Sequence, residues 1–145
     1  MPVTFDQPFM TNVGNHYVLH SHHRNGNPEK SQWCITPPQE IELFEQVFHV
    51  QTPSSGVLWG LRVEAETPHV VGVSCMKAPP VRNLRIAKFI SNMTPQFWHG
   101  YPADYRIEIQ DRPPIAILNV WRKDGYIQKH EVAKIRRGSP CSLSD

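Results

Sequence analysis

Two periodicities divide the chain. Ile41, Phe44, Val47 and Phe48 recur at the spacing of one helical face, with Glu40, Glu42 and Glu45 largely on the others. Just before them, Thr36-Pro37-Pro38-Gln39 supplies a capping side chain, a proline suited to the first helical turn and a glutamine at the third position. The acidic first turn suits the helix dipole. The pattern predicts a helix over 37–50, ended by the stretch 52–56 with its Pro, Ser and Gly.

Elsewhere apolar residues come in short or alternating runs. The runs 57–63 and 70–75 read as two strands joined as an antiparallel hairpin. Lys77-Ala78-Pro79-Pro80 breaks the sheet, and 84–90 alternates like a half-buried strand. A fourth strand is predicted over 105–109. Helical spacing returns at Ile117, Leu118 and Trp121, after Pro113-Pro114 and before a stop at Gly125. Ile127 and Val132 have the spacing of a hydrophobic staple, so a second helix is expected over about 128–137, ended by Gly138 and Pro140. Residues 1–30 are polar and show no sustained period; apart from a short strand at Tyr17-Val18-Leu19 they read as an arm or loop. The expected fold is α+β: one helix on a small, mainly antiparallel sheet of three to five strands, within a domain over 31–138 that a C-terminal helical hairpin (113–138) closes, followed by a tail (139–145).

Composition narrows the class. The chain has 145 residues, enough for one domain and too few for two ordinary ones. Its 14 prolines are about twice the usual share, which favours short connections over a long-helix bundle. No stretch approaches the roughly 20 apolar residues of a membrane helix, and the first residues lack the basic start and apolar core of a secretory signal. Cys34, Cys75 and Cys141 are odd in number and widely spaced, so they read as free thiols in a reducing compartment, the cytoplasm. None stands beside an identifiable base that would make it a nucleophile. Net charge is +2, but 37–68 carries five Glu against one Arg, whereas 112–138 carries seven Lys or Arg against two acids. A basic end of this kind can meet an anion.

Three groupings could carry function. Residues 97–106 place Phe97, Trp98, His99, Tyr101, Asp104, Tyr105 and Arg106 around Gly100 and Pro102, which predict a turn. Outward-facing rings there would stack bases, and Arg106 would hold a phosphate in a fork. The same residues can be structural, with polar tips bonded to backbone. His16, His20, His22 and His23 could pair on zinc with Cys34 as a distant third ligand, but the segment lacks fixed supporting partners and reads as a solvated loop. The C-terminal hairpin offers basic side chains to phosphates, without the third helix that would support a helix-turn-helix. There is no phosphate-cradling Gly-rich loop and no nucleotide fingerprint.

The sequence therefore points to an interaction module with no catalytic, metal or cofactor site. Its partner would be a protein or nucleic acid phosphates, met through Trp98, His99, Tyr101, Tyr105, Arg106, Lys129, Lys134, Arg136 and Arg137. The alternative is a small metal-independent, ribonuclease-like hydrolase. In it His99 moves the proton, Asp104 orients the imidazole, Tyr101 or Tyr105 assists and Arg106 stabilises developing charge.

Overall fold

The capping residues at Thr36 are engaged as the sequence predicts. The computed structural model describes residues 4–51, 56–93 and 96–144. In it the Gln39 N–H donates to Thr36 Oγ1 (3.2 Å) and the Thr36 N–H donates to Gln39 Oε1 (2.9 Å). Helix α1 spans Pro37–Val50 and is capped at Gln51; positions 52–55 of the predicted stop lie outside the described residues. The helix buries Leu43, Phe44 and Val47 and partly covers Ile41 and Phe48. Full burial of a side chain of this size contributes roughly 1.5–3 kcal/mol. Glu40, predicted to lie off the apolar face, is instead buried. Its carboxylate accepts from the Tyr17 hydroxyl (2.5 Å) and from Arg24 Nη2 (2.7 Å). Burial outweighs both partners and raises this carboxyl to about 6.

The chain is α+β. The main sheet has five strands in the order β1 (Phe9–Met10), β2 (His16–Tyr17), β10 (Gln96–Ala103), β9 (Ile86–Met93) and β4 (Val57–Leu61). All neighbours are antiparallel except β2 and β10, which meet in parallel at Tyr17 and Trp98. A second sheet orders β3 (Gln32–Trp33), β7 (Gly72–Val73) and β8 (Asn83–Leu84). The predicted hairpin of 57–63 with 70–75 does not form. Its first strand pairs with β9 and its second with β3 and β8. Between them, β5 (Val63–Glu64) and β6 (Thr67–Pro68) make a two-residue ladder around Ala65 and Glu66, both at positive φ.

Each face of the main sheet carries its own core. On one face Phe89, Leu58, Ala87 and Trp98 meet Leu43, Phe44 and Val47 of α1. On the other, Trp59, Ile86 and Ala103 meet Leu118 and Trp121 of α2 (Ile115–Lys123) and Ile135 of α3 (Lys129–Arg136). This is the expected C-terminal helical pair, turning at Gly125 in the left-handed region (φ 85°) that only glycine adopts without strain. Among the described residues, no helix is long and apolar enough to cross a membrane.

Both ends of the chain are tied to the body of the fold. The polar arm is held: Asp6 accepts from the Ser21 N–H (3.0 Å) and hydroxyl (2.6 Å), and the Val18 N–H donates to the Trp98 carbonyl (2.8 Å). In the C-terminal stretch, Leu143 and Ser144 are each 2% exposed, and Ser142 donates its N–H (3.0 Å) and its hydroxyl to Glu131. An apolar leucine and a ring of polar partners turn the predicted tail into part of the second core.

Candidate functional site

The segment 97–103, predicted as a turn, is strand β10, and its alternation decides where each side chain goes. Gly100 faces Phe89: a Cβ there would lie 2.5 Å from Phe89 Cδ1 and 2.9 Å from the Tyr17 hydroxyl. Trp98 shares this inner face and is 2% exposed, its indole against Phe44 (5.7 Å) and Phe48 (6.1 Å) and its Nε1 without a partner among the described residues. Tyr105 is fully buried and donates to the Ser139 carbonyl (2.9 Å). It lies in a turn rather than in the predicted fourth strand, because Asp104 closes that turn by accepting from the Arg106 N–H (3.3 Å). Neither Trp98 nor Tyr105 presents a ring to solvent for stacking.

The outer face of β10 carries Phe97, His99 and Tyr101. Here the arm lays down a row of imidazoles that the sequence scattered. His99 meets His20 (4.6 Å between ring centres), His20 meets His22 (4.8 Å), and His22 meets His23 (4.6 Å). His23 then stacks on Tyr101 at 5.3 Å and 12°. His23 Nδ1 lies 2.8 Å from the Ser31 carbonyl, which can only accept, so Nδ1 carries the proton. Burial lowers His20 and His22 and brings His23 and His99 down to about 4, so the row is uncharged at neutral pH. Among the described residues, no three His, Cys, Asp or Glu are placed to hold a metal ion.

The residues named for hydrolysis do not converge. Asp104 is held by Arg82 through two bonds (2.8 and 2.6 Å), with Ser144 as a further partner of Arg82. Tyr101 donates to Asp111 Oδ1 (2.6 Å), and Lys88 reaches the same carboxylate (3.4 Å) and the Gln110 carbonyl (2.5 Å). Burial raises Tyr101 and Asp111. Tyr101 and Asp104 share a cavity of about 300 Å³ with His23, Glu108 and Asp111, but His99 and Arg106 do not line it. Arg82, Lys88 and Asp111 were not singled out from the sequence, since isolated charges in strands and turns carry no spacing signal.

The basic residues do come together. Arg112 donates from Nε to the Tyr105 carbonyl (2.9 Å) and from Nη1 to the Arg136 carbonyl (3.3 Å). Its guanidinium occupies the space beside Gly138, where the Arg106 carbonyl also approaches. The turn at 105–106 and the end of α3 are thereby clamped side by side, and Arg106, Arg136 and Arg137 leave from adjoining backbone. Arg136 donates to the Pro113 carbonyl (3.4 Å) and Arg137 to Ser139 Oγ (2.9 Å). None of these four guanidiniums has a carboxylate partner among the described residues. The acids Asp104, Asp111 and Glu131 are turned inward onto other groups; Glu108, bonded to Gln110, is the exposed acid of the turn. Lys129 is exposed on the side of α3 that carries Arg136, about two turns away, whereas Lys134 is half-buried and lies round the helix toward Arg137. No family model, curated protein or solved structure matches the chain.

Proposed function

We infer that the chain is a small non-enzymatic interaction module that grips the phosphate backbone of a nucleic acid. The contact surface is the arginine face of Arg106, Arg112, Arg136 and Arg137, extended by Lys129 and Lys134. The observation that carries this reading is the Arg112 clamp: it holds the backbone of the 105–106 turn and of the end of α3 side by side, and among the described residues the partners of the Arg136 and Arg137 guanidiniums are a carbonyl and a hydroxyl rather than a carboxylate. Arginines without an acidic partner remain open to an incoming anion, and a planar fork matches a phosphate better than an ammonium does. With Trp98 and Tyr105 buried, the contacts are to phosphates rather than to bases, so binding is tolerant of sequence.

The test is fluorescence anisotropy with labelled 20-nucleotide RNA and DNA, single- and double-stranded, across a salt series. Binding should weaken steeply with salt. Replacing Arg136 and Arg137 with Ala should weaken it for every sequence and flatten the log–log salt slope by about two. Absence of salt-dependent binding, or an unchanged slope in the folded double variant, overturns the reading.

A further inference from the structure

β4 is an edge of the main sheet, and α1 and α2 stand on its two sides. Between them runs an open groove of about 930 Å³ with β4 as its floor. The space beyond an edge strand and between two helical layers is where a further strand would lie, about 4.8 Å from its neighbour. Alternation of the ladder turns the Trp59 N–H and C=O away from β9 and toward this space. One side chain takes both. The Trp59 N–H donates to Gln51 Oε1 (3.0 Å), and Gln51 Nε2 donates to the Trp59 carbonyl. A primary amide presents one acceptor and one donor together, as a residue of a neighbouring strand does when it exchanges both bonds with its partner.

The walls are apolar on both sides. Val50 of α1 is 80% exposed and Val120 of α2 is 53% exposed, with Ile117 beside it. Among the described residues, Asp124 is the one charged residue lining the groove.

We propose that this groove docks an extended segment of a partner protein, apolar apart from one basic end, which joins the sheet beside β4 by displacing the Gln51 amide from Trp59. Both faces of such a segment meet apolar walls, so its sequence is a continuous run of β-branched and apolar residues rather than an alternating one. A basic residue at one end answers Asp124. A second copy of this chain does not fit, because its own β4 sits between the same two helices and two recessed edges cannot meet. The site is separate from the arginine face and stands or falls independently of it.

The probe is a blocked octapeptide of valine and threonine with one terminal lysine, titrated by calorimetry. Gln51→Ala removes the competing amide and should tighten binding about three- to tenfold, the worth of about one net hydrogen bond. Gln51→Asn, whose shorter amide cannot span both backbone groups, should tighten it too and guards against a folding defect in the first variant. Val120→Asp, at an exposed wall position, should abolish binding with the circular dichroism spectrum unchanged. A peptide with proline at its centre should not bind, since it lacks the pairing N–H. Equal binding of the proline peptide, unchanged or weaker binding by both folded Gln51 variants, or dimerisation of those variants by sedimentation without peptide uptake overturns the proposal.

Discussion

His23 should make the molecule acid-sensitive by an amount that one substitution removes. Its ring is 7% exposed and is brought down from 6.5 to about 4, with burial the leading cause. Between those values the unfolded chain binds a proton that the folded chain refuses, so folded stability falls as pH drops through that window and levels off below about 4. Linkage between pH 7 and pH 5 costs about 2 kcal/mol, reaching about 3 kcal/mol by pH 4. Glu40 works the other way. Its carboxyl lies at about 6 against 4.5 when unfolded, so the folded state takes up the proton first and gains stability as pH falls across that interval. His23→Asn keeps an N–H near the position of Nδ1 for the Ser31 carbonyl and cannot be protonated. The assay is urea unfolding at pH 7 and pH 5, followed by tryptophan fluorescence, for both proteins. Glu40, which the described contacts do not join to His23, contributes equally to each and cancels in the comparison. The variant's loss of stability should be smaller by about 2 kcal/mol. Equal losses in the two proteins would refute the claim that the folded state excludes a proton from this ring.

Three further outcomes follow from the packing. Asp104→Ala strands Arg82, whose side chain is 9% exposed, and should cost about 3–5 kcal/mol in chemical denaturation; the pair Arg82→Met with Asp104→Leu should recover most of it. Gly100→Ala drives a methyl to within 2.5 Å of Phe89 Cδ1 and should cost about 1–3 kcal/mol, read as a lowered melting temperature. Thr36→Ala removes the hydroxyl that accepts from the Gln39 N–H and should cost about 1 kcal/mol by the same measurement.

Elements defined by local chemistry were legible in the sequence. The capping box at Thr36, the double proline before α2 and the stop at Gly125 act over a few residues and need no knowledge of the rest of the chain. Strand β10 was not legible, because Gly100 and Pro102 imitate a turn. Gly100 is there because Phe89 and the Tyr17 hydroxyl crowd it. Pro102 is tolerated because ladder alternation turns its nitrogen away from β9, on the side where β2 is too short to reach. The basic face was half legible. Charge counting over 112–138 included Arg112, Arg136 and Arg137, and the aromatic cluster supplied Arg106, but the clamping role of Arg112 acts through carbonyls distant in sequence. The row of imidazoles was visible as composition and misread as solvated, because its order comes from contact with β10.

The parallel junction of β2 with β10 joins Tyr17 to Trp98 across most of the chain. Closing so large a loop gives up much chain freedom before any contact repays it, whereas β9 and β10 are near neighbours along the backbone and can zip early. Assembly therefore runs from the hairpin outward, with the N-terminal segment seated last. Amide protons at Tyr17 and Val18 should accordingly exchange with deuterium sooner than those in the middle of β9, through openings that lift this segment and leave the rest of the sheet shut.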